Sequence, residues 1–396
     1  MKFSILLPTR NRLSLLKLAV ETVRRQTYDN WEIIISDNDS TDPIKDWVDG
    51  LGDARIRYIR TEGFIPVTDN WNNAHSRATG DYVLMLGDDD GLLPGYFEKA
   101  RALIEAYERP QVLYHGALLY AYPNVLPEHP QGYVSRQVYL DDQSGQPYKL
   151  PVGRARDIAK NIMNFRMVLA LNMQYSLMRR DFADSVSRNG KFYYSPYPDF
   201  YATTVYFAMA DDILIVPEPM AVIGISPKSF GYFFFNSNQE QGAKFLNNLR
   251  EDDIPATVRN IVLPGGYHNT CWLLAMEHAH INFPEAPELR PNYNRYRLVQ
   301  TGYIYKGYYT GRQVSTSKLR EFNSHLTAAE RVRFGWPMAA FFGLTNMVPK
   351  SSARGLIEWA RSMGRQHIPL QEISSLQGYK DIVDLFEAQY SGAAQK

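Results

Sequence analysis

The chain has 396 residues, of which 45% are hydrophobic and 21% charged, and its formal net charge is +1. This length predicts two domains, and the balanced charge predicts no nucleic-acid partner. One cysteine, Cys271, excludes an intramolecular disulfide and a cysteine-based metal cluster, and it fits a reducing compartment. No signal-peptide pattern opens the sequence, and no uncharged apolar run reaches the roughly 18–20 residues that span a bilayer, so we expect a cytoplasmic protein.

Predicted strands and helices alternate over residues 1–100. The apolar runs FSILLP, WEIIISD, IRYIR and DYVLMLG predict strands, and SLLKLAVETVRRQ and DNWNNAHSRATG predict helices. Ser14 is the expected N-cap of the first helix, and Gly80 is expected to close the second. This alternation predicts an α/β fold with a mostly parallel sheet that helices cover on both faces.

The pattern is mixed between residues 101 and 235 and helical beyond them. PDFYATTVYFAMA predicts a helix that Pro198 opens, and ILIVPEPMAVIGIS predicts two short strands joined at Pro217–Pro219. After residue 235, helices are predicted at NTCWLLAMEHAH, NRYRLVQTGYIYKGYY, SKLREFNSHL, SARGLIEWARSMG and KDIVDLFEAQY.

These changes of pattern predict where the domains begin and end. The polar stretch NSNQEQG, Asn236 to Gly242, is the expected linker. We therefore predict an α/β domain followed by an α-helical C-terminal domain. The predicted ranges are 1–235 for the first domain, divided into 1–100 and 101–235, and 236–396 for the second.

Polar residues gather where three of the predicted strands end. They are Thr9 to Asn11, Asp37 to Asp42 and Asp88 to Asp90. In open α/β sheets, ligands bind beyond the carboxyl ends of the strands, so the pattern predicts a binding site along this edge. Carboxylates suit Mg²⁺ or Mn²⁺. A lone aspartate triplet is more often a solvated loop, but here it ends a buried strand beside the other two clusters, and this favours a site.

The second cluster, SDNDSTD, has two interpretations. Asp37 can accept a hydrogen bond from a uracil N3–H or from a ribose hydroxyl. Asp, Asn and Ser also form local turns and helix caps without any ligand. Both can hold, with Ser40 to Asp42 capping the next helix while Asp37 faces the ligand.

The stretches ILLPTRNR, SLLKLAVETVRRQTYDNWEIIISDNDSTD and NWNNAHSRATGDYVLMLGDDDGLLP, in this order, resemble the family 2 inverting glycosyltransferases with the GT-A fold. The resemblance covers about residues 1–100 and extends towards Ser229; the C-terminal third has no part in it. It implies a Rossmann-like GT-A domain, a nucleotide-sugar donor, with a UDP-sugar expected first, and a bound Mn²⁺ or Mg²⁺.

The resemblance also implies roles for particular residues. Asp89 takes the place of the metal ligand, with Asp90 beside it, while Gly87 stands where the family usually has an aspartate. Trp71 stands where many relatives carry arginine. The predicted donor residues are Pro8, Thr9, Arg10, Asp37, Asp39, Asn72 and Asp88. Lys228 or Ser229, after the last predicted strand, is a further candidate that would reach the diphosphate; the alternative for Lys228 is an ordinary surface lysine.

A general base must deprotonate the acceptor hydroxyl. In the enzymes that the chain resembles, this base is an Asp or Glu at the start of a helix after the D-x-D segment, and here Asp199 fits. A helix N-terminus favours the ionised carboxylate and should weaken the base, but position outweighs pKa. Asp211, Asp212 and Glu218 are the alternatives.

The resulting prediction is a metal-dependent inverting glycosyltransferase. Its acceptor would be a hydroxyl of a glycan or lipid-linked glycan in surface polysaccharide biosynthesis. One alternative is a non-catalytic nucleotide-sugar-binding or assembly protein. Another is a sugar nucleotidyltransferase, but that enzyme needs a glycine-rich first loop, and LLPTRNRLS contains no glycine.

The C-terminal region has three candidate roles: an acceptor site, a homo-oligomer interface, or a surface that touches the inner face of the cell membrane. Its segment NYNRYRLVQTGYIYKGYY is rich in tyrosine, which favours helix packing or a surface for glycan or lipid. The basic residues Arg295, Arg297, Lys306 and Arg312 would suit anionic lipid.

Overall fold

The computed structural model describes residues 1–125, 129–229, 232, 254–265, 267–311, 314–345, 373–375 and 379–393. The predicted linker at Asn236–Gly242 and the predicted helix SARGLIEWARSMG lie outside these residues. Arg312 lies outside them too.

Four parallel strands form one half of the sheet. They are β1 (Phe3–Thr9), β2 (Trp31–Asp37), β3 (Ile56–Arg60) and β4 (Tyr82–Met85), in the spatial order β3-β2-β1-β4. Thr9 pairs with Asp37 at the end of β1. The residues that follow β1, β2 and β4 therefore emerge at one edge of the sheet, and the predicted α/β fold with a mostly parallel sheet is confirmed.

The other half of the sheet is mixed. It contains β5 (Gly91–Leu92), β6 (Val112–Ala121), β7 (Tyr133–Gln137), β8 (Tyr148–Lys149), β9 (Ser176–Arg179), β10 (Ile213–Ile225) and β11 (Ile373–Ser375). β9 is antiparallel to both β4 and β6, and β10 runs parallel to β6. β10 is one strand, not the predicted pair. Its register shifts between Val216 and Pro219, because the two prolines there cannot donate to the ladder.

Helices cover both faces of the sheet. They are α1 (Leu13–Arg24), α2 (Ile44–Leu51), α3 (Val67–His75), α4 (Tyr96–Ala106), α5 (Val152–Met163), α6 (Arg180–Val186) and α7 (Pro198–Met209). Because side chains alternate along a strand, Ile5 and Leu7 pack under α1, α2 and α4, while Leu6 packs under α3, α5 and α7.

Two helix ends differ from the prediction. Ser14 does not cap α1; instead the backbone N–H of Leu13 donates to Asp42 Oδ2 at 2.9 Å, so Asp42 reaches across to α1 rather than capping α2. α3 ends at His75, not at Gly80. A Cβ atom on Gly80 would lie 2.7 Å from Ser4 Oγ, so this glycine is needed for close packing against β1.

The C-terminal region is helical, as predicted. Its main helices are Tyr267–Asn282, Tyr293–Lys306, Thr316–Ser324, Trp336–Thr345 and Ile382–Ala393. Trp272 and Met276 of the first of these join the core beside α5 and α7. Among the described helices, none is long and apolar enough to cross a bilayer.

The last helix returns to the N-terminal sheet. Ile382 and Leu385 are buried against Leu93 and Val222. The Ile382 Cδ1 atom would lie 3.3 Å from a Cβ atom placed on Gly91, the residue that follows Asp90. A helix at the end of the chain therefore packs directly against the strand that leaves the aspartate triplet.

Ile382→Ala is expected to lower the free energy of unfolding by about 2–5 kcal/mol, because it opens a cavity between the last helix and β5. Val383→Ala is the matched control on the same helix, since Val383 is only half-buried and should cost less. Urea unfolding measures both variants. Equal stability of Ile382→Ala and the wild type would show that this helix does not dock on β5 in solution.

Candidate active site

Asp88 lies at the carboxyl edge of the sheet, where it is buried against the guanidinium group of Arg12. Thr9 Oγ1 donates to Asp88 Oδ2 at 2.7 Å, and Arg12 Nη1 donates to Asp88 Oδ1 at 2.7 Å. Burial raises the pKa of Asp88, and Arg12 opposes that rise. Burial would lower the pKa of Arg12, but Asp88 and Asp89 outweigh it and raise that pKa, so the guanidinium stays charged. The predicted donor residues Thr9 and Asp88 are thus brought together by a hydrogen bond.

Arg12→Ala is expected to lower the free energy of unfolding by about 3–5 kcal/mol, because it leaves the buried Asp88 without its cation. The double variant Arg12→Ala/Asp88→Asn removes both charges and should recover part of that loss. Urea unfolding at neutral pH measures the two. If Arg12→Ala is as stable as the wild type, Asp88 carries no charge that needs Arg12.

The two carboxylate oxygens of Asp89 have different surroundings. Its Oδ2 accepts hydrogen bonds from Ser226 Oγ at 2.9 Å and from Ser229 Oγ. Its Oδ1 lies 3.9 Å from Arg12 Nη1 and accepts no hydrogen bond from the described residues. The two serines follow β10, so the loop after that strand holds Asp89 in place by its Oδ2, while Oδ1 has Arg12 within ion-pair distance.

Asp90 is bound on both oxygens. Its Oδ1 accepts from the Gly224 N–H at 2.9 Å, and its Oδ2 accepts from the Gly87 N–H at 2.8 Å and from Gln174 Nε2 at 2.7 Å. Burial and the neighbouring Asp89 raise the pKa of Asp90 to about 8, against these donors. Asp90 thus ties the triplet to β10 and to Gln174; its metal role stays a prediction.

The loop after β1 carries the next predicted donor residues. Pro8 is half-buried, and Arg10 is exposed with its guanidinium 3.9 Å from the centre of the Phe64 ring. Lys228 Nζ donates to the backbone oxygen of Asn11 at 2.9 Å. The structure therefore brings the loops after β1 and β10 together, as the donor assignment requires.

The aspartates after β2 make local contacts. Asp37 is fully buried, and its carboxylate accepts hydrogen bonds from the Ser40 N–H at 2.9 Å and from Tyr58 Oη at 2.7 Å. Asp39 has a φ of 55°, which suits Asp in a tight turn, and its Oδ1 pairs with Arg60 at 2.7 Å. A nucleobase at Asp37 would share its carboxylate with Tyr58.

Asn72 binds the backbone of the segment that contains Phe192 and Tyr193. Its Oδ1 accepts from the N–H groups of Phe192 and Tyr193, at 3.1 and 3.0 Å, and its Nδ2 donates to the Tyr193 backbone oxygen at 2.9 Å. Trp71, which replaces the arginine of many relatives, packs edge-on against Tyr193 with ring centres 5.2 Å apart. Asn72 thus fixes Tyr193; its direct donor contact stays a prediction.

Asp199 is the second residue of α7 and is partly buried. Its Oδ1 accepts from the Phe200 N–H at 2.9 Å. Burial raises the pKa of Asp199 to about 7, so the expectation that the helix N-terminus would weaken this base is wrong: desolvation outweighs the backbone donors. A carboxyl that titrates near neutral pH suits general base catalysis.

The alternative bases are engaged by cations. Asp211 Oδ1 pairs with Arg156 at 2.8 Å, Asp212 with Lys149 at 3.3 Å, and Glu218 with Lys99. Asp199 forms no ion pair in the part of the chain that the structure describes. The geometry therefore favours Asp199 among the four candidates.

Residues 171–174 link α7, the helix that carries the candidate base Asp199, to the aspartate triplet. Thr203 Oγ1 on α7 donates to the backbone oxygen of Leu171 at 2.9 Å, and three residues further on Gln174 Nε2 donates to Asp90.

Three residues of this arrangement were not among the predicted site residues. Three adjacent carboxylates at a buried strand end require a nearby cation, and this signal points to Arg12. Gln174 and Ser226 carry no local signal, because their contacts with the triplet depend on segments far away in the sequence.

A dedicated metal cage is not formed: among the described residues, no group of three His, Cys, Asp or Glu side chains is placed to hold a cation. Mg²⁺ and Mn²⁺, however, are often bound by one or two carboxylates together with substrate phosphates. Asp89 would be the protein ligand of such a cation, because its Oδ1 accepts no hydrogen bond from the described residues and lies 3.9 Å from Arg12 Nη1.

Comparisons with known proteins show what the chain is similar to. Residues 4–152 match the model of Glycosyl transferase family 2. The chain is 38% identical over 97 residues to the GalNAc(5)-diNAcBac-PP-undecaprenol beta-1,3-glucosyltransferase of Campylobacter jejuni, covering 24% of this chain and 31% of that protein. It is 31% identical over 87 residues to the UDP-Glc:alpha-D-GlcNAc-diphosphoundecaprenol beta-1,3-glucosyltransferase WfgD of Escherichia coli, covering 22% and 34%. The chain thus spans about a third of the length of each relative.

A solved structure extends the likeness of fold. The crystal structure of Staphylococcus aureus TarS residues 1–349 in complex with UDP-GlcNAc is 13% identical, covers 96% of this chain and 98% of that one, and gives a TM-score of 0.51. At this identity the match supports the GT-A fold and nothing more. Residues 4–152, the part of the chain that carries the aspartate triplet, are therefore similar to glycosyl transferase family 2.

Proposed function

We propose that the protein transfers a sugar, with inversion, from a nucleotide-sugar donor to a hydroxyl of a glycan or lipid-linked glycan acceptor. A UDP-sugar is the expected donor, and Mn²⁺ or Mg²⁺ the expected cofactor. The observation that carries the proposal is Asp89 Oδ1, which accepts no hydrogen bond from the described residues and lies at the carboxyl edge of the sheet, where ligands of such folds bind.

The three aspartates would have different roles in donor binding. Asp89 would hold the divalent cation, while Asp88 and Asp90 are held by Thr9, Arg12 and the backbone. A cation bound there neutralises the charge that develops on the leaving diphosphate. The remaining donor residues would surround the nucleotide: Pro8, Arg10, Asp37, Asp39, Asn72 and Lys228.

Asp199 would take the proton from the acceptor hydroxyl. The hydroxyl oxygen then attacks the anomeric carbon from the face opposite the diphosphate. As the new C–O bond forms, the bond to the diphosphate oxygen breaks, and its electron pair leaves with the nucleoside diphosphate. Attack from the opposite face inverts the anomeric configuration. With a pKa of about 7, Asp199 is substantially ionised at neutral pH and can still accept the proton.

The names of two relatives support the choice of substrates. Both carry an undecaprenol diphosphate glycan in their names, and WfgD also carries UDP-Glc. We therefore infer a lipid-linked acceptor for this chain, with the protein working in surface polysaccharide biosynthesis. A place in the cytoplasm, at the inner face of the membrane, follows from that acceptor.

The alternatives are less well supported. A non-catalytic nucleotide-sugar-binding or assembly protein would need the pocket but no base, and the raised pKa of Asp199 supports a base. A sugar nucleotidyltransferase would need a glycine-rich loop after β1, where this chain has Pro8 to Asn11.

The product's anomeric configuration tests the proposal. The protein is incubated with UDP-sugars, Mn²⁺ and an undecaprenyl-diphosphate-linked sugar, and the new anomeric proton is followed by NMR. We expect release of UDP and a product of opposite configuration to the donor. Retained configuration would contradict the mechanism, and binding of UDP-sugar without any UDP release would support the binding protein instead.

A further inference from the structure

An apolar surface lies on the C-terminal helices. Val332, Trp336 and Leu344 are 55%, 67% and 62% exposed, the highest values among the large hydrophobic side chains of the described residues. All three fall within 13 residues of sequence. Scattered single hydrophobic residues on a surface need no explanation, but a local cluster marks an interaction site.

The helix Trp336–Thr345 explains how this surface arises. It contains no charged residue. Its inner side packs Met338 and Phe342 against the cluster that includes Ile304 and Phe322. Trp336, Ala340 and Leu344 recur every four residues and are exposed, so the outer side is apolar as well. A surface helix of a soluble protein normally has a polar outer face. The apolar outer face of this helix therefore suggests that it contacts another apolar surface.

Basic side chains border the apolar surface. Arg331 and Arg333 are exposed on the turn that leads into the helix, and neither forms an ion pair with a described residue. Arg297, one of the basic residues predicted for lipid contact, differs in this respect: its side chain is only 12% exposed and is paired with Glu330. The unpaired cations therefore lie beside the exposed apolar helix.

We propose that Val332, Trp336 and Leu344, flanked by Arg331 and Arg333, dock the protein on an anionic lipid bilayer. The helix has ten residues and would lie in the plane of the interface, with Trp336 at the headgroup level and the arginines on the phosphates. Charge complementarity selects the bilayer over a second copy of the chain, which would bring the same arginines together. The proposal does not depend on the proposed function, because docking involves neither donor nor acceptor.

Sedimentation with vesicles tests the proposal. The full chain is mixed with vesicles of phosphatidylcholine alone or of phosphatidylcholine with phosphatidylglycerol, without nucleotide or metal. We expect binding to the anionic vesicles that weakens as salt is raised. Arg331→Ala and Arg333→Ala should each weaken it about fivefold, and Trp336→Ala by about tenfold or more.

Matched controls lie on other helices. Lys45 is exposed on α2, and Val152 is 41% exposed on α5, so Lys45→Ala and Val152→Ala should leave vesicle binding unchanged. Failure of the wild type to bind anionic vesicles would overturn the proposal. So would equal binding by Trp336→Ala, or a wild-type dimer in sedimentation velocity that Trp336→Ala converts to monomer, since a second copy would then cover the surface. All the substituted side chains are exposed, so we expect the variants to fold like the wild type, and circular dichroism checks this.

Discussion

Asp89→Asn is expected to lower kcat by about 10²–10³-fold and to remove metal-dependent binding of the nucleotide. The substitution keeps the shape of the side chain and an oxygen for Ser226, but it removes the charge on which the cation depends. It also removes one of three neighbouring carboxylates, so the free energy of unfolding should not fall. Steady-state kinetics with Mn²⁺, isothermal titration with the nucleotide, and urea unfolding measure the three quantities.

Asp90→Asn is the matched control for this prediction. An amide at Asp90 can accept on only one side, so either Gly224 or the pair Gly87 and Gln174 would face another N–H group. We expect a loss of about 1–3 kcal/mol of stability for each buried donor left unpaired. The assignment of the metal to Asp89 would be wrong if Asp90→Asn removed metal-dependent binding while Asp89→Asn preserved it.

Asp199→Asn is expected to lower kcat by about 10²–10⁴-fold while nucleotide binding is preserved, because only proton transfer from the acceptor is lost. Asp211→Asn is the matched control: the Asp211 side chain is 76% exposed and paired with Arg156, so this variant should turn over normally. Loss of turnover in Asp211→Asn, with normal turnover in Asp199→Asn, would move the base to the other end of α7.

The pH dependence gives a second measure of Asp199. The wild-type kcat/KM should rise through an apparent pKa of about 7, as the carboxyl loses its proton, and this limb should be absent from the residual activity of Asp199→Asn. The folded-state pKa lies above the ordinary value of 3.8. The native state therefore binds more protons between these two values, and the contribution of Asp199 to stability falls as pH rises towards 7. Asp199→Asn should not show that fall.

The periodicity of the N-terminal half is enough to predict its strands and the edge where the site lies. Buried runs that end in polar residues identified the carboxyl ends of β1, β2 and β4, and the structure places these ends together. The contacts within the site were less predictable. Asp42 accepts a hydrogen bond from the first residue of α1 rather than capping the helix that follows it, and the two residues are 29 apart in sequence. A single sequence does not carry the relation between such distant segments.

Burial and packing explain the features for which local sequence patterns gave a wrong prediction or none. The helix N-terminus predicts a low pKa for Asp199, but its surroundings desolvate the carboxyl and raise that pKa. Gly80 looks like a helix terminator, yet close packing against β1 requires it. The contact between Ile382 and the β5 region joins residues that are far apart in sequence, and no local pattern in KDIVDLFEAQY predicts it.

Thermal unfolding of the wild-type chain with a series of nucleoside diphosphates, each in Mn²⁺ and in EDTA, tests the central claim most directly. We predict that uridine diphosphate stabilises the fold in Mn²⁺ but not in EDTA. The gain should be about 2.7 kcal/mol at 100 times the dissociation constant, and it should disappear in Asp89→Asn. If no nucleoside diphosphate stabilises the protein, with or without metal, the aspartate triplet is a buried acidic turn and the chain has no donor site there.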